Sequence, residues 1–165
     1  MDQKKLQYLY GPVYSWRLGM SLGIDPLAAG AKVCNFDCVY CQLGPTTRFP
    51  STREIYVPTA KIVEEITALP PMPIDYLTFS GQGEPTLARN LGEMIQALRA
   101  VRTEKIAVIT NAALIDQPDV QADLARADLV LAKLDAADYP SLAAVSRPVS
   151  TVHYEQILSG LKGFR

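Results

Sequence analysis

Three cysteines, Cys34, Cys38 and Cys41, are the only thiols in 165 residues, and all fall in the stretch Cys34-Asn35-Phe36-Asp37-Cys38-Val39-Tyr40-Cys41. The backbone between them is too short to leave a common centre, so one loop can present all the sulfurs to one site. Three protein ligands leave a tetrahedral metal one short. In a cubic iron–sulfur cluster, which takes one thiolate per iron, the shortfall leaves an iron open to another molecule. Competing readings are weaker. A structural zinc site closes with four Cys/His ligands, and the single histidine, His153, stands far along the chain. Disulfides would leave one cysteine over and close small, strained loops. Burial as inert hydrophobes suits single cysteines but does not explain why all of them cluster.

A second stretch with chemical content is Ser80-Gly81-Gln82-Gly83-Glu84-Pro85-Thr86-Leu87. Its glycines let the backbone turn tightly and approach a ligand, and Pro85 fixes the entry to a following helix. A phosphate loop is disfavoured, because the third glycine of GxGxxG is absent, no Lys-Ser/Thr follows, and Glu84 repels phosphate. A plain tight turn is the bland alternative. Farther on, Thr110-Asn111 and the pair Lys133 and Asp135 carry polar groups to strand ends. Asn111 also suits a turn. Lys133 and Asp135 alternate, which aims both at one face of a strand, and a mutual salt bridge is their structural alternative.

The elements that must position these groups alternate between strand and helix. Strands are expected over residues 18–24, 76–79, 106–110 and 129–134. Between them, Thr59 caps a helix with Ile62, Ile66 and Leu69 on its apolar face, stopped by Pro70, Pro71 and Pro73. Helices follow over 87–101, where Leu91, Met94, Ile95 and Leu98 keep helical spacing, over 118–126, and from His153 onward with Ile157 and Leu158. Apolar strands each followed by a helix predict an α/β fold with a parallel sheet. In such sheets ligands gather at the carboxyl ends of the strands, where the polar stretches fall.

The CxxxCxxC spacing with Tyr40 before the third cysteine resembles the signature of the radical S-adenosylmethionine (radical SAM) superfamily. The run from Gly11 to Gly44, with Gly11-Pro12-Val13, Arg17-Leu18-Gly19 and Ser21-Leu22-Gly23-Ile24-Asp25, is similar to the subgroup containing wyosine-base (tRNA) synthases and uncharacterised Fe-S oxidoreductases. The resemblance implies a parallel-stranded partial (βα) barrel with about four of six strand–helix units present. Residues 1–165 then form a single core domain truncated at its C-terminal end, an N-terminal fragment. It also implies a [4Fe-4S] cluster on Cys34, Cys38 and Cys41. S-adenosyl-L-methionine (SAM) is then contacted by Tyr40, Gly83, Glu84, Pro85, Asn111, Lys133 and Asp135. The SGxGEPTL stretch would receive its ammonium group. The implied reaction is one-electron cleavage of SAM to methionine and a 5′-deoxyadenosyl radical, which abstracts hydrogen from a substrate. No side chain need be a catalytic acid or base. An external reductant such as flavodoxin or ferredoxin would supply the electron. The alternative is a non-catalytic iron–sulfur or electron-transfer module, but such ferredoxin sites bring a fourth cysteine.

Some positions depart from the resembled pattern: Gln82 replaces a glycine, Ala112 replaces the glycine after the TN pair, and Trp16 stands where relatives are basic. No cysteines remain for the second cluster of wyosine synthases. Arg147-Pro148 resembles an RP pair without an assigned role, and His153 reads as a surface or capping residue. The substrate is not legible.

Composition bounds the remainder. A hydrophobic share of 48% supports a core, and a formal charge of −1 lacks a basic footprint for nucleic acid. This weakens a tRNA substrate without excluding one. Arg48 and Arg53, with Phe49 and Tyr56, read as solvated surface rather than a binding patch. Residues 1–5 are polar with no apolar stretch behind them, and no run approaches the roughly 18 apolar residues of a membrane span. A cytoplasmic location is expected, where thiols stay reduced.

Overall fold

The computed structural model describes residues 6–50 and 52–164; residues 1–5, the polar start noted above, and residues 51 and 165 lie outside the described residues. Strands β2 (Gly19–Ile24), β3 (Tyr76–Phe79), β4 (Lys105–Thr110) and β5 (Leu129–Ala132) pair in parallel in chain order. Helices α1 (Thr59–Thr67), α2 (Leu91–Val101), α3 (Pro118–Leu124) and α4 (Tyr139–Val145) follow the four strands in turn, and α5 (Tyr154–Gly163) comes last. This is the expected partial (βα) barrel with four strand–helix units.

Period-two alternation explains the layers. Leu22 and Ile24, Leu77 and Phe79, and Ile106 and Val108 are fully buried in one core with Ile62 and Ile66 of α1 and Met94 and Leu98 of α2. The alternate positions are small or polar: Ser21 Oγ and Thr78 Oγ1 are hydrogen-bonded at 2.7 Å. Gly23 allows the Tyr10 ring to lie against the sheet, since a Cβ there would come within 2.1 Å of it.

Several elements differ from their sequence expectations. Strand β1 (Leu9–Ser15), which no apolar run announces, pairs antiparallel with β2. Its register shifts between Tyr10 and Val13, which accommodates Pro12 on an edge strand. Thr59 does not cap α1 with its side chain; Pro58 occupies that position. Instead Asn90 Nδ2 donates to Thr59 Oγ1 at 3.1 Å and to the Val57 carbonyl at 3.0 Å, tying the starts of α1 and α2 together. Helix α2 begins four residues late because Pro85–Leu87 forms a separate 3₁₀ turn. Strand β5 ends at Ala132, so Lys133 and Asp135 lie beyond it. Helix α4 was absent from the expectation, although Asp138 caps it by accepting from the Ser141 N–H at 2.8 Å and Pro140 sits in its first turn.

Arg53 corrects the surface reading. Its side chain is 8% exposed and pairs with Asp119 and Asp123. Its Nε also donates to the Thr86 carbonyl at 2.8 Å and its Nη2 to the Ala88 carbonyl at 3.1 Å. It therefore braces the segment after the cysteines against the 3₁₀ turn and α3. Arg48 is exposed, paired with Glu54 at 2.7 Å and placed over the Tyr56 ring at 5.2 Å. Arg53→Met should lower stability by about 3 kcal/mol, because it strands Asp123 and two carbonyls; urea denaturation followed by circular dichroism checks this.

Candidate functional site

The cysteine loop is docked by backbone on two sides. On one side Val33 forms parallel bridges with Gly83 and Arg48. The Val33 N–H donates to the Gln82 carbonyl at 2.9 Å, and the Glu84 N–H returns to the Val33 carbonyl at 3.0 Å. Gly83 takes φ of 152°, and a Cβ there would stand 1.6 Å from the Val33 oxygen. Only glycine fits this approach. Gln82, the departure from the resembled pattern, supplies a carbonyl to the docking.

On the other side the end of α4 and the chain after it form a strap. The Asp37 N–H reaches the Ser146 carbonyl at 3.1 Å, the Val39 N–H the Val145 carbonyl at 2.9 Å, and the Val149 N–H the Asn35 carbonyl at 3.0 Å. Arg147 holds a left-handed φ of 45°, and Pro148 bridges Phe36. Asp37 completes the junction. The Thr46 N–H, donating at 2.7 Å, holds its carboxyl below the usual range, with Lys32 and Arg147 nearby. The sequence carried no signal for this strap beyond the Arg147-Pro148 pair. His153 precedes α5 and makes no side-chain cap bond.

Cys34, Cys38 and Cys41 line one cavity of ≈ 120 Å³. Tyr40, Gly83, Glu84, Asn111 and Lys133 face the same space. It lies beyond the carboxyl ends of β3, β4 and β5, as strand polarity requires. Pro85 is buried at the start of the 3₁₀ turn, and Asp135 joins the site through Tyr40. A larger hollow of ≈ 640 Å³ lies between Leu6, Tyr8 and the α1 surface, away from every motif residue.

Cys34 is the buried thiol of the three, while Cys38 and Cys41 are half-exposed. Burial, reinforced by the Glu84 charge, pushes its pKa up to about 12, against the opposing Phe36 N–H and Lys32. Among the described residues no group of three or more His, Cys, Asp or Glu side chains is arranged to hold a single metal ion. A cubic cluster has no such requirement, since each thiolate takes its own iron. The donor set, three thiols on one cavity with no fourth protein ligand beside them among the described residues, fits a cluster better than zinc.

Glu84 is 2% exposed and accepts four hydrogen bonds. Thr86 donates its N–H at 3.0 Å and its hydroxyl at 2.6 Å to Oε1, and the Thr110 hydroxyl joins them at 2.6 Å. The Asn111 N–H donates to Oε2 at 2.7 Å. Burial raises the Glu84 pKa, and these donors oppose the rise. Asn111 also bonds Asn35 Oδ1 at 2.7 Å, while buried Asn35 Nδ2 has no partner among the described residues.

At the cavity lip Tyr40 donates its hydroxyl to Asp135 and accepts from Lys133 Nζ. Lys133 and Asp135 pair at 3.2 Å, and the ammonium stands 4.7 Å from the Tyr40 ring centre. The salt bridge read as the alternative is therefore present, with Tyr40 as its third member. Burial and the Asp135 contact push the Tyr40 pKa up to about 12. Burial disfavours the Lys133 ammonium, but Tyr40 and Asp135 outweigh it and keep its pKa above the ordinary value.

A family profile described as the Radical SAM superfamily matches residues 31–165. A UPF0026 protein of Synechocystis sp. is 43% identical over 157 residues, covering 95% of this chain and 59% of that protein. A UPF0026 protein of Methanocaldococcus jannaschii is 41% identical over 160 residues, covering 94% of this chain and 49% of its own. A GTP 3′,8-cyclase of Mycobacterium ulcerans is 29% identical over 133 residues, covering 80% and 36% respectively. The chain thus spans 59% or less of the length of these relatives.

Two outcomes follow from the geometry. Gly83→Ala should destabilise the fold by about 3 kcal/mol through backbone strain, with added loss from the clash at Val33, read by thermal unfolding. In the metal-free protein at neutral pH, iodoacetamide should modify Cys38 and Cys41 well before Cys34, whose thiol is buried and protonated; peptide mass mapping over time gives the order.

Proposed function

This chain belongs to the radical SAM superfamily, and from that premise we propose that it reductively cleaves SAM at a [4Fe-4S] cluster, yielding a 5′-deoxyadenosyl radical for hydrogen abstraction from a substrate. Cys34, Cys38 and Cys41 are the cluster ligands in this reading. The observation that carries it is the opening of all three thiols onto the cavity that Glu84, Asn111 and Lys133 also face.

Each residue has a physical task. Cys34, kept a neutral thiol by its burial, would have to give up its proton to hold iron. Gly83 would wall the part of the cavity that receives the SAM amine, and Pro85, buried at the start of the 3₁₀ turn, would hold that stretch in place. Glu84 adds negative potential to that wall while its four donors hold it still. Lys133, kept cationic at the lip with Asp135 and Tyr40 fixing its direction, would receive the SAM carboxylate or ribose. The Tyr40 ring, on the same cavity, would border the adenine. Val33 and Phe36, the buried residues on either side of Cys34-Asn35, would exclude water from the Cys34 side.

The same proposal includes residues 1–165 as one core domain, an external one-electron reductant of the flavodoxin or ferredoxin kind, and a cytoplasmic setting. Among the described residues no helix is long and apolar enough to cross a membrane. A tRNA substrate is not favoured, since Arg53 is committed internally and Arg48 is paired with Glu54.

The test is anaerobic reconstitution with iron and sulfide, then electron paramagnetic resonance of the dithionite-reduced protein with and without SAM. Wild type should give a [4Fe-4S]⁺ signal that changes when SAM is added, and Cys38→Ala should lose it. A cluster signal indifferent to SAM would turn the reading into a non-catalytic cluster module. Absence of any cluster would sink it.

A further inference from the structure

We propose that Asn111 is a positioning residue for the innermost cluster ligand: its side-chain amide donates an N–H···S hydrogen bond to Cys34 and so sets the reduction potential of the cluster. The inference rests on the cluster reading above. It departs from the role that the resemblance gave Asn111, which was contact with SAM.

Among the described residues the Cys34 sulfur has two donors, the Phe36 N–H at 3.4 Å and Asn111 Nδ2 at 3.6 Å, distances suited to the larger radius of sulfur. The first is backbone within the loop. The second comes from the end of β4 and is the one a substitution can remove. The orientation of the amide follows from its neighbours. Asn111 Oδ1 accepts from the Ala113 N–H at 2.9 Å, a group that can only donate. Turned around, the amide would set its oxygen against the sulfur and Asn35 Oδ1, and its NH₂ against the Ala113 N–H. Both Nδ2 hydrogens are thereby committed, one to Asn35 and one to Cys34.

The residue is also held from behind. Its own N–H is bonded to Glu84 Oε2, and the residue is 8% exposed. A hydrogen bond to a ligating sulfur draws electron density from it and favours the reduced, more negative state of the cluster. The electron that fills the [4Fe-4S]²⁺ state to give [4Fe-4S]⁺ comes from the external reductant. Asn111 changes only how readily it is accepted. Burial at Cys34 strengthens the effect, because little water competes for that sulfur.

Wild type, Asn111→Leu and Asn111→Asp, each as the full chain reconstituted with iron and sulfide, are titrated potentiometrically with dithionite in the absence of SAM. The reduced cluster is read by electron paramagnetic resonance. Both variants should show a more negative midpoint. At the wild-type midpoint the reduced-to-oxidised ratio should fall roughly fivefold in Asn111→Leu, and farther in Asn111→Asp, whose carboxylate faces the sulfur. Asn111→Asp keeps the oxygen that serves Ala113, so a shift shared by both variants tracks the lost donor rather than the lost turn. Midpoints equal to wild type would overturn the inference and leave the cluster reading standing. Loss of the cluster from both variants, with native circular dichroism, would also overturn it, making Asn111 a scaffold for the loop. A wild type that takes up no cluster would remove the underlying reading itself.

Discussion

A carboxylate buried in a protein interior costs several kcal/mol unless donors surround it, and the site is built around meeting that condition at Glu84. Its four donors come from the 3₁₀ turn and from the end of β4. Satisfying them fixes Thr86, Thr110 and Asn111 relative to one another and holds the carboxyl ends of β3 and β4 in one arrangement. The backbone of Glu84 extends the same constraint to the cysteine loop through the Val33 carbonyl. The position of the thiols is thus inherited from a charge that has to be kept hydrogen-bonded. The Asn111 amide passes the constraint on to Cys34.

The cavity has a graded polarity. Its floor holds an acid and a buried thiol, and its lip holds an ammonium paired with a tyrosine and a carboxylate. A zwitterionic ligand with an amine and a carboxylate meets complementary charge at both ends. Cys38 and Cys41 lie nearer solvent than Cys34, so the three sulfurs differ in hydration although they share one loop. This asymmetry is what gives a hydrogen bond at the innermost ligand its leverage.

The four parallel strands and most helices were legible because apolar runs and helical spacing report local burial directly. The cysteine trio and the SGQGEPTL stretch were legible because their residue types are chemically unusual at that spacing. What escaped was recorded in backbone pairing, which leaves no side-chain signature. Strand β1 hides behind Gly11-Pro12, and the strap over residues 145–149 uses main-chain groups that any sequence provides. Arg53 looked like surface because the carboxylates that bury it come from α3, far along the chain. The alternation of Lys133 and Asp135 correctly put them together, yet the strand assumed to carry them ends at Ala132, and Tyr40 completes the group. Thr59 had the right chemistry for a cap, but Asn90 claims its hydroxyl.

The strap also bears on how the protein is made. The cysteine loop is complete early in translation, but its partners at Val145, Ser146 and Val149 emerge only after three further strands, β3 to β5, and four helices, α1 to α4, have been synthesised. Because domains assemble from the N-terminus as the chain leaves the ribosome, the thiols spend most of that time in a loop secured on one side only. Their final spacing is a late, non-local event, reached when the strap closes over them. A nascent chain therefore carries its three thiols before the second side of their shelter has been made.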